Sequence, residues 1–580
     1  MNSFRMILKY WAKSRKNFIY QFIFLVISTT FYTFTPIIIG RMVGALTNAP
    51  ELLFNFLLVI VFTVLVYLAS RAARLRGAEV SSRAIYYLRT DISNAIYRQS
   101  FSFFDKTETG QLISRATSDI EETQAIFGMG LTLGLQSILQ MTGVFMGFLV
   151  FNFALSIIFI ALFFGSLMVS YFIAKKLKPI FLETRSSFGD LTNTIRENIV
   201  GAEVVRMFST QDKEHQKFQK NNRRFYKASV QSVKYNSLYM PVIYVVIGFM
   251  IIITFFLGGM WYIEGNMPLE AIVTLISYIA ALGFPLMMLG QIMLIYVQAD
   301  AALIRVREVL DSAPEIKDLP DALPLKSAKG EISFEDVSFG YTSEHRILKD
   351  ISFKIPEGKK LAILGTTGSG KSTIINLIPR FYEINKGVIK IDNNDIRNYI
   401  LKDLRRTVGI VSQETYLFNK SIAENIAYGK EDAQEGEIIE AAKIAELHDF
   451  IMTLPKGYDS LVGERGTRLS GGQKQRLTIA RALIVKPKIL IFDDSTSSVD
   501  VETEFKIQEA LTKIMKNTTT IIITQRISTI RNADLILILD RGRVVGLGNH
   551  DELINSNILY KQIYETLFQK QKSKGGNINE

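Results

Sequence analysis

Residues 365–373 read Gly365-Thr366-Thr367-Gly368-Ser369-Gly370-Lys371-Ser372-Thr373, three glycines ahead of a lysine and two hydroxyls. An apolar strand pattern, residues 360–364, precedes this loop, and a helix is predicted over 372–380. In that setting the backbone N–H groups of residues 367–371 wrap phosphate oxygens, the Lys371 ammonium neutralises β- and γ-phosphate charge, and the Ser372 hydroxyl reaches Mg2+. A second apolar run, residues 489–492, ends in Asp493, a carboxylate placed to hold the same metal through water. Two such strands make a nucleoside triphosphate site.

The rest of the chain must carry and place that site. With 580 residues and a sharp change of composition near residue 300, at least two domains are expected. Before that point, uncharged runs cover residues 17–40, 52–70, 123–174, 239–263 and 271–299. Each approaches or exceeds the roughly 20 residues a helix needs to cross a bilayer. The run over 123–174 is 52 residues long, enough for two crossings with a tight turn around Asn152, so six spans are expected. Buried helices of a large soluble protein would instead show amphipathic breaks.

Charge orients the spans. Arg5, Lys9, Lys13, Arg15 and Lys16 precede the first, and residues 175–234 carry 13 Lys plus Arg, whereas the opposite loops offer Arg41, Glu264 and Glu270. Both termini and the two long loops are therefore expected on the cytoplasmic side of a cell membrane. The formal charge of +12 is in good part this topology signal, and without interleaved aromatics on the soluble half it does not point to nucleic acid. The absence of cysteine removes disulfides, thiolate metal sites and a Cys nucleophile. The first apolar run is too long for the core of a cleaved signal peptide. Ahead of it, residues 1–16 put Phe4, Ile7, Leu8 and Trp11 at helical spacing against Arg5, Lys9 and Lys13, as in an amphipathic helix at the membrane interface.

The expected layout is thus an interfacial helix over 1–16, a six-span domain over 17–310, a Pro314-, Pro320- and Pro324-containing linker over 311–329, an α/β nucleotide domain over 330–570 and a polar tail over 571–580. The two long loops have helical composition, and their tips, 103–110 with Phe103 and Phe104 and 201–210 with Val204, Val205 and Phe208, carry apolar side chains suited to docking on the nucleotide domain.

Leu469-Ser470-Gly471-Gly472-Gln473 resembles the signature of ATP-binding cassette (ABC) proteins, and with it nearly the full chain resembles a half-size ABC exporter. The resemblance implies an all-α transmembrane domain of six helices with long cytoplasmic extensions, followed by an α/β P-loop domain. It also implies ATP and Mg2+ as cofactors, and a dimer in which Ser470, Gly471, Gly472 and Gln473 meet ATP held by the partner. Tyr341 corresponds to the aromatic that stacks on adenine, although taken alone it is equally a strand-end tyrosine. Gln413 corresponds to the glutamine that reaches Mg2+ and the attacking water, the segment 463–466 to one that meets the coupling loops, and Asp500 to an aspartate that communicates across the dimer.

Two positions depart from the family. Asp494 stands where a glutamate usually polarises the attacking water, and Gln525 where a histidine usually precedes Arg526. Aspartate is shorter by one methylene, about 1.5 Å, and a misplacement near 1 Å costs about a hundredfold in rate. Loss of a positioned transition-state donor costs roughly 10²–10³ in kcat. One reading is a site that binds ATP and cleaves it slowly, completed by a different subunit that retains both residues. The other is a pair of tolerated swaps, since Asp494 is still a carboxylate and Gln525 still donates. The favoured expectation is one subunit of a heterodimeric exporter of hydrophobic or amphipathic compounds, drugs or lipids. A homodimeric exporter with two slow sites, or an ATP-gated channel or nucleotide sensor, is the alternative.

Overall fold

Why the membrane half breaks where it does is clearest at Asn152. In the computed structural model, which describes residues 3–342, 345–493, 509 and 518–572, this residue leaves the helical region (φ −161°, ψ 114°) and its Oδ1 accepts from the Leu155 N–H at 3.0 Å. An asparagine that caps the next helix with its own side chain splits the uncharged run in two.

The helices run Ser3–Ala12 (α1), Arg15–Gly44 (α2), Ala49–Tyr97 (α3), Phe101–Lys106 (α4), Thr109–Ala116 (α5) and Ser118–Ala125 (α6). A π-helical turn, Ile126–Gly130, leads into Leu131–Phe151 (α7), followed by Phe153–Val200 (α8), Ala202–Met207 (α9), Gln211–Ile263 (α10), Leu269–Ala281 (α11) and Gly283–Asp311 (α12). Among the described residues five stretches are long and apolar enough to cross a membrane, within α2, α3, Thr109–Phe151, Tyr244–Ile263 and Leu269–Asp311. The remaining expected crossing falls in α8, which opens with the shorter apolar stretch Leu155–Gly165. The chain is a multi-pass membrane protein. At 1.5 Å per residue the 49 residues of α3 span roughly 70 Å, far more than a bilayer, so most of its charged half stands in water.

Two compact units form. One comprises Met1–Tyr97 with Thr109–Ser312, the other Arg98–Glu108 with Ala313–Glu580. In the first, small residues allow helices to close on one another, as lipid-embedded packing favours. A Cβ on Gly143 would lie 2.4 Å from Thr33 Oγ1, and one on Gly147 2.6 Å from the Tyr278 ring. Gln21 Nε2 donates to Thr132 Oγ1 at 2.8 Å across Gly77. Helix α1 departs from the sequence expectation in its face. Met6, Ile7 and Tyr10 are buried against α3 and α12 while Leu8 is exposed, and Tyr10 donates to Asp91 at 2.8 Å. Helical spacing identifies an apolar stripe but not whether protein or lipid covers it.

The second unit has two sheets. An antiparallel one has the order β2-β1-β4-β5, from Ile332–Phe339 (β1), Leu348–Ile355 (β2), Lys386–Ile391 (β4) and Asn394–Asp395 (β5). The other has the order β10-β9-β3-β8-β7-β6, from Lys360–Gly365 (β3), Val408–Val411 (β6), Ile489–Asp493 (β7), Thr519–Ile523 (β8), Leu535–Asp540 (β9) and Arg543–Gly548 (β10). All its pairings are parallel except β9 with β10. Continuous apolar strands such as Ile489-Leu490-Ile491-Phe492 suit a parallel sheet covered on both faces, and these four residues are buried. Lys371–Leu377 (α13) packs into this core. Leu404 of Leu401–Thr407 (α14) also belongs to this core, whereas a second one, with Leu417, Ile422, Ile451 and Leu477, joins Ile422–Ile426 (α15), Glu435–Ile444 (α16), His448–Thr453 (α17) and Gly471–Leu483 (α18) into a mainly helical lobe. The segment expected as the connecting linker is tied to this unit, since Leu401 N–H donates to Asp318 and Leu325 N–H to Asp403.

The ion pair that holds the end of α12 is a test of the first unit. Arg305 grips Asp119 of α6 with two bonds, Nε–Oδ2 at 2.9 Å and Nη2–Oδ1 at 2.6 Å, and the Asp119 side chain is 7% exposed. Arg305→Ala leaves a buried carboxylate unpaired and should destabilise by about 1–3 kcal/mol, the exposure of Arg305 keeping it below a fully buried pair. Thermal unfolding of the purified protein in detergent checks this, with Asp119→Asn/Arg305→Ala expected to recover part of the loss.

Candidate nucleotide site

The site grows from the carboxyl ends of four adjacent parallel strands. Ile363 of β3 is level with Ile523 of β8, Ile523 with Asp493 of β7, and Phe492 with Val411 of β6. The glycine loop leaves β3, Gln525 lies two residues beyond β8, Asp493 ends β7, and Gln413 lies two residues beyond β6. Ligands of open parallel sheets bind at this edge. Register thus places these four together. Gln413 and Gln525 are exposed and Asp493 half-buried. Asp494 and Asp500 lie outside the described residues.

The loop is shaped by φ and by steric room. Gly365, Gly368 and Gly370 have φ of +154°, +78° and +102°. A Cβ on Gly365 would stand 2.2 Å from the Leu539 carbonyl oxygen and 2.7 Å from Ser369 Oγ, and one on Gly370 2.6 Å from Leu348 Cδ2, whereas Gly368 has open space. Ser369 is buried and its Oγ has no hydrogen-bond partner, an orphan hydroxyl inside the cradle. Lys371 Nζ donates to the carbonyl oxygens of Gly365 at 3.0 Å and Thr366 at 2.8 Å, which stations the ammonium over the loop. Gly370 caps α13, so Lys371, Ser372 and Thr373 form its first turn, where N–H groups and the helix dipole favour anions. Cradle, orphan donor and ammonium fit a triphosphate. Ser372 and Asp493 supply the hard oxygen ligands that suit Mg2+.

Tyr341, two residues past β1, is brought to this turn: its hydroxyl is 3.4 Å from Thr373 Oγ1. The signature residues lie on the helical lobe, where Ser470 caps α18. Its Oγ accepts from Gln473 N–H at 3.3 Å and its N–H donates to Gln473 Oε1 at 2.9 Å. This reciprocal box presents Gly471 and Gly472 at an exposed helix N-terminus.

Three features were not singled out from the sequence. Arg481, on α18, donates to Asn425 O at 2.9 Å, Asn425 Oδ1 at 2.7 Å and Tyr416 O at 2.9 Å, and lies against the rings of Phe418 and Tyr428. Burial draws its guanidinium below the usual arginine value. It ties the segment after Gln413 to the signature helix. Second, α4 seats Phe101 on Phe381, with centroids 4.3 Å apart, and Arg405 backs Phe381 at 5.5 Å. The expected tip began at Phe103, but Phe103 and Phe104 pack on each other. Third, Tyr382 donates to Asp105 Oδ2 at 2.8 Å. The aromatic pair Phe381-Tyr382, directly after the P-loop helix, was the available signal.

A parallel-sheet P-loop domain behind a bundle of membrane-crossing helices defines a membrane protein driven by nucleotide. Residues 18–286 match the ABC transporter transmembrane region, and residues 348–497 the ABC transporter ATP-binding family. The chain is 34% identical to the ABC transporter ATP-binding protein YknU of Bacillus subtilis over 99% of its own length and 98% of that protein. It is 37% identical to an ATP-dependent lipid A-core flippase of Syntrophus aciditrophicus, over 85% of this chain and 82% of that one. A bacterial Atm1-family ABC exporter solved with ATP bound superposes with a TM-score of 0.84 at 27% identity, covering 98% of this chain and 99% of the other. The chain belongs to the ABC transporter family as a half-size exporter, a transmembrane domain fused to an ATPase domain that couples ATP hydrolysis to transport.

The two kinds of glycine should respond differently. Gly365→Ala drives a methyl into the Leu539 carbonyl and should abolish ATP binding, whereas Gly368→Ala, with room but a left-handed φ, should cost only about 1 kcal/mol, a few-fold in affinity. Displacement of a fluorescent ATP analogue from the full-length protein measures both.

Proposed function

We propose that this chain is one subunit of a heterodimeric exporter of the bacterial cytoplasmic membrane, moving lipids or other hydrophobic or amphipathic compounds outward, with both termini in the cytoplasm. Lys371 and the amides of residues 367–371 hold the triphosphate, Tyr341 stacks on the base, and Ser372, Gln413 and Asp493 serve Mg2+. When bound, a metal held by these residues would supply charge neutralisation at the phosphates. Gln413, Asp494 and Gln525 orient water weakly, so this chain's own site turns over slowly. Helix α4 and residues 201–210 carry motion between transport helices and ATPase domains.

The observation that carries the reading is an imbalance. The signature segment is intact and preorganised, its cap box holding Gly471 and Gly472 at an exposed helix N-terminus, while Asp494 and Gln525 replace the residues that complete cleavage in the chain's own pocket. Such a subunit gives a partner's ATP what it lacks for its own. Apolar spans without internal Asp, Glu, Lys or Arg support an uncharged or amphipathic cargo, as does the name of the lipid A-core flippase relative.

The test is single-turnover hydrolysis in the assembled pair. Alone, the chain should show little ATPase, and with its partner the activity should rise well above the sum. Asp494→Asn should barely change total hydrolysis, whereas Ser470→Ala or Gly471→Asp should lower it by roughly 10²-fold, the scale of a lost transition-state donor. Brisk turnover by a purified homodimer, or a severe Asp494→Asn beside silent signature variants, sinks the heterodimer reading.

A further inference from the structure

Tyr341 is held by more than its own strand. Its ring meets Phe339 edge to face at 5.0 Å and 83°, and Tyr382 in the same manner at 5.0 Å and 85°. Phe339 is buried in β1 and is a fixed wall. Tyr382 is half-buried, and its hydroxyl is anchored by the Asp105 carboxylate of α4. Burial and that carboxylate push the Tyr382 phenol well above the usual tyrosine range, and its O–H donates to the carboxylate. On its far side, Tyr341 reaches Thr373 in the first turn of the P-loop helix.

Two neighbouring aromatics therefore divide the contact with α4. Phe381 takes the non-directional part, stacked between Phe101 and Arg405. Tyr382 takes the directional part, one hydrogen bond beside a looser tilted contact with Phe101 at 6.2 Å, and it is the member that touches Tyr341. Ser102 adds a bond from α4 to Glu315, in the segment before β1. Edge-to-face pairs fix the tilt of one ring by the position of the other.

We propose that Tyr382 is a positioning residue for the nucleotide base: the Asp105–Tyr382 hydrogen bond sets the Tyr341 ring, so that the seating of α4 is read out as affinity for adenine. This rests on the reading of Tyr341 as the base-stacking residue. By linkage, base binding strengthens the seating of α4 by the same factor. The relay touches the phosphate end at one point, the Tyr341 hydroxyl beside Thr373, and leaves Lys371 and the glycine loop unchanged.

The experiment compares ATP with inorganic tripolyphosphate, which has no base, as displacers of trinitrophenyl-ATP from the purified full-length protein. Tyr382→Phe keeps the ring and removes only the hydroxyl; it and Asp105→Ala should each weaken ATP about tenfold, within the usual range of a coupling energy. The double variant should be no weaker than either, tripolyphosphate should displace as in wild type, and Asp105→Asn, which keeps an accepting oxygen, should restore ATP affinity. Unchanged ATP affinity in Tyr382→Phe, an equal loss for tripolyphosphate, additive losses, or failure of Asp105→Asn to restore overturns the relay. Tyr341→Ala separates this from the parent reading: if it leaves ATP affinity intact while Lys371→Ala weakens both displacers, the base-stacking assignment itself fails.

Discussion

A triphosphate can be met by several backbone N–H groups at once only where a chain turns tightly enough for them to converge. Here that convergence depends on Gly365 and Gly370, positions where positive φ and a neighbour within 3 Å of any Cβ together exclude other residues. Everything else in the ATPase unit is arranged about this loop. The parallel sheet brings three further strand ends beside it, α13 gives it a dipole, and the packing of Leu348 and Leu539 fixes its walls. A domain built this way grips phosphate through its backbone and leaves chemistry to a few side chains at the rim, where substitution is structurally cheap.

On the proposed reading, that economy is what lets binding and cleavage separate in one site. Lys371 and the loop amides are locked by local geometry, whereas Gln413 and Gln525 hang beyond the ends of β6 and β8 and are exposed. On the same reading, a subunit that keeps its cradle and its signature gives up its own catalytic rim and still serves an assembly.

How much of this was legible in the sequence divides by distance along the chain. The P-loop, the apolar strand that ends in Asp493 and the break at Asn152 are local patterns, each written within about ten residues. The membrane character followed from run length, and the parallel sheet from uninterrupted apolar strands. By contrast, the contact of Asp105 with Tyr382 joins residues 277 apart, and no pattern predicts it. The contacts of α4 come from Phe101, just ahead of the expected tip, and from Asp105 within it. In α1, periodicity found a stripe but misjudged its centre, since burial by α3 selects Met6, Ile7 and Tyr10. The roles of Tyr341, Gln413 and the signature came from family resemblance, as single loop residues have no periodicity to read.

The cap of α18 has a further consequence in the exchange of amide protons with water. The reciprocal box engages the N–H groups of Ser470 and Gln473, while Gly471 and Gly472, as the first two residues of a helix, have no carbonyl one turn back to bond. Four successive amides thus alternate in their protection, slow at both ends and fast in the middle. A helix start so divided offers two adjacent protons to an approaching anion without unfolding anything, and their slowing toward the rate of their neighbours would time its arrival from the protein's side.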